Sequence, residues 1–265
     1  MEQIIEIGDY KIFTKTEGEG APVLLLHSYW GSHLLFDQLA SRLSKSRQVI
    51  RIDLPGHGGS GDPPEGYRFD AFAEVLDELL LRLHIIEKTI IIGHSMGGYI
   101  ALSYIARYPQ KTESLVLIHS PVKSADIQSV KLRNREAGLL LKGKRELLLQ
   151  VTIPSNFAPG DNRKSDVLLA LLNYTAGQVT TNGALRSIEA MNHRSDYLKT
   201  LQGAHYPILI IAGKYDKVYA AEEQLKDGGT IAKAEVLLLN HSGHLGFLEE
   251  EELVLNKLNQ FINHR

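Results

Sequence analysis

The sequence predicts an α/β fold: a mostly parallel central sheet flanked by helices, with a helical insertion between two of its strands. Three observations carry that expectation. Short apolar, β-rich runs alternate with amphipathic stretches of helix length, the succession that builds a sheet covered by helices. Most of those runs are continuously apolar, which suits strands buried on both faces rather than a sheet with one wet side. The alternation then stops between residues 121 and 201, a span too long for an ordinary loop.

In chain order, YKIFTKT (10–16) alternates apolar and polar residues and reads as a half-exposed strand. PVLLLH (22–27), QVIRIDL (48–54), KTIIIGH (88–94), SLVLIH (114–119), YPILIIAG (206–213) and AEVLLLN (234–240) read as interior strands. SHLLFDQLASRLSK (32–45), FDAFAEVLDELLLRL (69–83), MGGYIALSYIARY (96–108) and LGFLEEEELVLNKLNQFIN (245–263) place apolar residues three and four apart, as a helix with one buried stripe does. Between 121 and 201 the helical stretches 124–151, 164–175 and 182–192 follow one another without a convincing strand. The expected organisation is a core of residues 1–120 and 202–265 with a helical cap over 121–201. The leucines of 139–149 and 167–172 read as helix faces meeting the core, some of them roofing the site. Glu249 to Glu252 read as a solvated face opening the last helix, where negative charge suits the helix dipole.

Composition narrows the function classes. The 265 residues are 43% apolar, enough for one large core with an insertion. Basic and acidic residues nearly balance, 29 against 31, and there is no long basic run, so a nucleic-acid partner is not expected. Cysteine is absent, which rules out disulfides and thiolate metal sites. The N-terminal MEQIIEIGDYK lacks the features of a secretory signal, and no apolar segment approaches the roughly 20 residues that span a bilayer. The expectation is a soluble cytoplasmic protein that does not engage membranes; its oligomeric state is not legible.

The informative stretch is Gly93-His94-Ser95-Met96-Gly97, a G-x-S-x-G placed between the strand KTIIIGH and the helix MGGYIALSYIARY. At such a sharp turn the serine takes a strained backbone conformation, and side chains two positions before and after it would collide with the neighbouring strand and helix. Glycine removes both collisions and leaves the hydroxyl above the sheet edge, beside the free N–H groups of a helix N-terminus. The bland alternative is a serine capping a close-packed helix.

Together with HSYWG at 27–31, DLPGHGGS at 53–60, GHSMGG at 93–98, GKYD at 213–216 and SGH at 242–244, this stretch makes the chain resemble the α/β-hydrolase superfamily over nearly its whole length. The resemblance implies the chain order nucleophile, acid, histidine, with a helical cap after the sixth strand. A serine needs a neighbouring base. His244 follows AEVLLLN in a glycine-flanked turn; His241 competes, and the resemblance favours the histidine after Gly243. The imidazole needs an acceptor that fixes its tautomer, and Asp216, directly after YPILIIAG, is the candidate. After the preceding strand stand His119 and Ser120, with the first carboxylate at Asp126. For the oxyanion, one donor is expected from the Met96 N–H, and the resemblance points to the Tyr29 N–H for the second. Most relatives carry His-Gly where this chain has His27-Ser28, so Ser28 is expected to orient the loop or meet substrate. Trp30 either walls the acyl pocket or packs the loop.

Two motifs are discounted. GHGGSG (56–61) fits the dinucleotide fingerprint, but Pro63 and Pro64 follow where that fingerprint needs a helix; Asp53 to Ser60 read as scaffold. His241 and His244 lack the spacing and carboxylate partner of a zinc site. The expected function is a serine hydrolase, without cofactor or metal, acting on a small-molecule acyl substrate with a hydrophobic acyl part. Thioesterase or carbon–carbon bond hydrolase chemistry on the same triad, or a non-catalytic ligand-binding protein on this scaffold, are the alternatives.

Overall fold

The computed structural model describes residues 1–160 and 166–263. Eight strands form one sheet: β1 (Glu2–Ile7), β2 (Tyr10–Glu17), β3 (Pro22–Leu26), β4 (Gln48–Ile52), β5 (Thr89–His94), β6 (Thr112–Ile118), β7 (Ile208–Gly213) and β8 (Ala234–Leu239). They lie in the order β1-β2-β4-β3-β5-β6-β7-β8. β1 and β2 pair antiparallel, as do β2 and β4, and the remaining pairs are parallel. β3, β5 and β7 are buried from end to end, as their unbroken apolar sequences require.

The helices are α1 (Asp37–Leu43), α2 (Phe69–Arg82), α3 (Met96–Arg107), α4 (Ile127–Leu141), α5 (Arg145–Ser155), α6 (Asp166–Gly177), α7 (Thr181–Asn192), α8 (Leu198–Gln202), α9 (Ala221–Gly228), α10 (Gly246–Glu249) and α11 (Glu251–Asn263). α3 packs on β5 and reaches β3 and β6, while α9 covers β7 and β8. α4 to α8 stand between β6 and β7 in the chain, and α4 packs on both α5 and α7. The helical stretch 124–151 is broken at Gly143, whose φ of +68° ends α4. Lys164 and Ser165, which open the stretch 164–175, lie outside the described residues. The leucines divide: Leu140, Leu149 and Leu172 are buried, whereas Leu141 and Leu147 face solvent. No helix among the described residues is long and apolar enough to cross a membrane.

Two elements go beyond the sequence reading. β1 is mostly exposed, and its glutamates break the apolar pattern. Its signal is the two-residue Gly8-Asp9 connection to β2, with Gly8 at φ +54°, a tight hairpin turn. α9 is short and strongly charged, so its apolar stripe is too thin to stand out.

Candidate active site

The sheet order places the chemistry. β3, β5, β6, β7 and β8 are neighbours in that sequence, all parallel, so their C-terminal ends share one rim. Residues 27–31 follow β3, Ser95 follows β5, His119 follows β6, Asp216 comes shortly after β7 and His244 after β8. Adjacent strands are about 4.8 Å apart, which makes each of these residues a neighbour of the next.

Ser95 has φ 52° and ψ −114° and opens α3. Holding a non-glycine residue there costs on the order of 1–3 kcal/mol, and the surroundings enforce it. The Ser95 N–H donates to the Ile118 carbonyl at 3.0 Å, and its own carbonyl accepts from Ser120 Oγ at 2.9 Å. A Cβ on Gly97 would lie 2.1 Å from the Leu26 carbonyl oxygen, and one on Gly93 would lie 2.6 Å from that of Gly97. These glycines are therefore demanded by close approach.

Asp216 Oδ1 accepts from the N–H groups of Val218 and Tyr219 at 2.8 and 3.0 Å, which fixes the carboxylate in its own loop. Its Oδ2 accepts from His244 Nδ1 at 2.9 Å. Burial alone would raise the Asp216 pKa, but the charge of His244 and hydrogen bonds from His119 and His244 hold it well below the usual carboxylate range. A charged Asp216 makes Nδ1 the protonated nitrogen of His244 and leaves Nε2 as a lone-pair base. The His244 backbone is equally restrained: its N–H donates to the Asn156 carbonyl at 2.7 Å and its carbonyl accepts from His94 Nε2 at 2.8 Å. His241, by contrast, is exposed, and Asp126 is spent capping α4 through the Ser129 N–H.

Sequence reasoning missed two contributors. His119 is fully buried, with Nδ1 3.3 Å from Asp216 Oδ2, in poorer geometry than the His244 bond. Its Nε2 accepts from the Gly246 N–H at 3.0 Å, so the hydrogen sits on Nδ1 and faces the carboxylate. Burial lowers the His119 pKa and keeps the ring neutral. The signal lay in its position at the end of β6. The second contributor is the acidic run. Glu249 is buried and accepts from the N–H groups of Gly243 and Ala158, each at 2.8 Å. Glu250 accepts from the His241 N–H and the Ser242 hydroxyl. These two carboxylates brace the loop that carries His244; at the far end of the run Glu252 is exposed and pairs with Arg42.

The loop after β3 is locked by His27. Its Nε2 accepts from the Leu54 N–H at 2.9 Å, so Nδ1–H donates to the Ser28 carbonyl at 2.8 Å. The left-handed residue of this loop is Trp30, with φ 64°; Ser28 is not at a positive φ, so the serine costs no backbone strain at the position where the resemblance implied glycine. Tyr29 and Trp30 line a cavity of about 250 Å³ with Ser95 and His244; Ser28 is not part of its lining. Met96 is buried as the first residue of α3, where a helix leaves its N–H groups without intrahelical partners. Polar side chains share the lining with apolar ones: Ser129, Arg133, Glu136, Thr152, Asn156 and Lys217 join Leu132, Met191 and Val218. α4 contributes Ser129, Leu132, Arg133 and Glu136 to this lining, and none of its leucines at 139–141. A larger cavity of about 710 Å³ lies at the opposite rim, near Pro109, Thr112 and Pro207, away from these groups.

His119, Asp216 and His244 are also the described residues whose donor atoms, all within 4.8 Å of one another, could meet at a metal ion. The Gly246 bond argues against that use. With Nε2 accepting an N–H, an ion on Nδ1 would require the ring to lose its last proton. At the discounted nucleotide motif, Asp53 Oδ2 accepts from the Gly59 N–H at 2.8 Å, and Gly61 opens no helix.

A family model described as the alpha/beta hydrolase fold matches residues 21–251. The chain is similar to AB hydrolase superfamily protein YisY of Bacillus subtilis (strain 168), 26% identical over 264 residues and 95% of each chain. It is similar also to Lipase 3 of Moraxella sp. (strain TA144), 27% identical over 96% of this chain and 81% of the relative. A thermophilic esterase from Thermogutta terrifontis superposes with a TM-score of 0.92 at 22% identity, covering 100% of this chain and 98% of that one, a likeness of fold. The chain belongs to the alpha/beta hydrolase family of enzymes.

Proposed function

We propose that this protein is a cofactor-independent serine hydrolase that cleaves a carboxylic ester or related acyl compound through an acyl-enzyme. The observation that carries the reading is the 2.9 Å bond from His244 Nδ1 to Asp216 Oδ2, in a ring that shares its cavity with Ser95. Ser95 Oγ attacks the acyl carbon while His244 Nε2 takes its proton. The carbonyl electron pair moves onto oxygen, where the Met96 and Tyr29 N–H groups receive it; each such donor contributes about 2.7–4 kcal/mol. Collapse expels the leaving group, which takes the proton back from His244. Water then repeats the sequence on the acyl-serine, and acid and enzyme are released.

In this reading residues 121–201 are a cap, supported by the seven cavity residues they contribute, from Ser129 to Met191. Asn156 ties that cap to the base through the His244 N–H. The cavity falls below the roughly 300–1,000 Å³ of drug-sized ligand sites, which favours a small substrate. The absence of cysteine suits a cytoplasmic setting.

The test is a panel of esters and thioesters that varies acyl length and leaving group, with the Ser95→Ala protein as blank. Wild type is expected to turn over short acyl esters, and Ser95→Ala to lose about 10,000-fold or more in kcat. Turnover that survives Ser95→Ala would overturn the reading, and ligand binding with no turnover would make the protein a binder on this scaffold. A strong thioester preference would move the substrate class within the same mechanism.

A further inference from the structure

We propose that the cavity beside Ser95 is built for a substrate that carries a carboxylate, such as the half-ester of a short dicarboxylic acid, and that Arg133 receives that carboxylate. The proposal rests on the hydrolase reading and names its substrate class.

Arg133 belongs to α4, is only 8% exposed, and lines the cavity with Ser95 and His244. Its Nη2 donates to the Tyr219 hydroxyl at 2.9 Å and its Nη1 to Asn192 Oδ1 at 3.4 Å. Both acceptors are neutral, and no carboxylate pairs with the guanidinium among the described residues. A guanidinium has five donors, so most are left unused. Burying a charge without a directly paired carboxylate is costly, and an arriving anion would supply that pair.

Glu136 does not supply that anion. It sits one turn further along α4 and also lines the cavity, but its carboxyl accepts from Trp30 Nε1 at 3.2 Å. Burial raises its pKa, while its hydrogen bonds and the nearby Arg133 charge work against that rise; it is a neighbour in charge that forms no ion pair with the guanidinium. Lys217, exposed at the same cavity, adds a second positive group. The position also suits the chemistry. Tyr219, which holds Arg133, has its ring 5.7 Å from that of His244, and its N–H donates to Asp216. One side chain therefore separates the anchoring cation from the base. The fork of a single guanidinium matches a planar monoanion in two parallel bonds, which favours a carboxylate over a doubly charged phosphate.

The experiment pairs monoethyl glutarate with ethyl hexanoate, using Ser95→Ala as blank, and measures kcat/KM for both with wild type, Arg133→Gln and Arg133→Lys. Wild type is expected to prefer the half-ester by roughly tenfold to a hundredfold, the range of a hydrogen bond to a charged group. That ratio should collapse in Arg133→Gln and be partly kept in Arg133→Lys. Free glutarate should compete against ethyl hexanoate in wild type and lose at least about tenfold in potency in Arg133→Gln. Ser95-dependent cleavage of ethyl hexanoate with no preference in wild type would overturn this proposal and leave the hydrolase reading intact. Absence of any Ser95-dependent cleavage would overturn the hydrolase reading, and glutarate binding that survived Arg133→Gln would remove Arg133 as the receiver. The wild-type arms decide the substrate class even if the Arg133 variants fold poorly, and Lys217→Gln separates the two cations: a preference lost there would remove Arg133 as the receiver.

Discussion

Replacing Gly97 by alanine tests how tightly the Ser95 turn is joined to the loop after β3. The added Cβ would lie 2.1 Å from the Leu26 carbonyl oxygen and 2.7 Å from that of His27. Ordinary contact begins near 3.4 Å, so α3 and the end of β3 must part by about 1.3 Å along the shorter line. Both opposing atoms are backbone, and no rotamer change relieves them. Overpacking of this kind costs about 1–3 kcal/mol, a fall in Tm of roughly 2–10 °C for a chain of this size. In the proposed mechanism the functional cost is larger in proportion, because Leu26 leads directly into the loop that carries Tyr29, the proposed second oxyanion donor. A displacement of about 1 Å in a reacting constellation can cost 100-fold in rate, and kcat/KM is expected to fall by at least about that factor. Thermal melts and hydrolysis of a short ester read the two effects separately. Gly138→Ala is the matched control: this glycine lies within α4 with nothing within 4 Å of its would-be Cβ. Its substitution should stabilise by about 0.4–1 kcal/mol and leave turnover as in wild type. A Gly97→Ala protein with wild-type kcat/KM and Tm would refute the account of the turn.

Three further outcomes are expected. His119→Phe removes one donor facing Asp216 and strands the buried Gly246 N–H, so it should cost about 1–3 kcal/mol in a urea melt and lower kcat about tenfold with little change in KM. His119→Gln, which can donate and accept, should recover part of both, and a phenylalanine variant indistinguishable from wild type would remove His119 from the site. Glu249→Gln replaces the carboxylate that braces Gly243 and Ala158, and should lower kcat and Tm together; unchanged values would mean that the His244 loop holds itself. Acid should weaken the fold well before the carboxylates titrate. Burial lowers the pKa of His27 to about 4 and that of His57 to about 3. Between about pH 6.5 and those values the unfolded chain therefore binds more protons than the folded one. Stability is fully present above about pH 6.5 and lost as pH falls, by on the order of 5 kcal/mol at pH 4; urea midpoints that stayed flat from pH 7 to about 4.5 would contradict this sign.

The layout of the rim is legible in the chain because two local rules coincide. Continuous apolar runs name the buried parallel strands, and chemistry-bearing residues immediately after them must lie at one edge. Ser95 and Asp216 are found that way; between His241 and His244 the rule does not choose, and the resemblance does. His119 satisfies the same rule, yet its role depends on the Gly246 N–H, a partner 127 residues away that fixes its tautomer. The glutamates at 249 and 250 look like a solvated helix start because helix dipoles welcome acid there; only the fold shows the Gly243 and Ala158 amides turned onto Glu249. Arg133 and Glu136, three apart on α4, carry no local signal that sets them apart from the other charged residues of that stretch. Their place in the cavity depends on α4 packing on α7, a long-range relation with no periodic signature. β1 and α9 escape for a simpler reason, since exposed or short elements bury too few apolar residues to print a pattern.

The central claim is that Ser95 is a nucleophile activated by His244 and Asp216. Treatment with a fluorophosphonate followed by peptide mass spectrometry addresses it directly. One adduct per chain is expected, on Ser95, absent in Ser95→Ala and formed far more slowly in His244→Ala. A full-length protein that stays unlabelled, or that carries its adduct elsewhere while Ser95 remains free, would contradict the account.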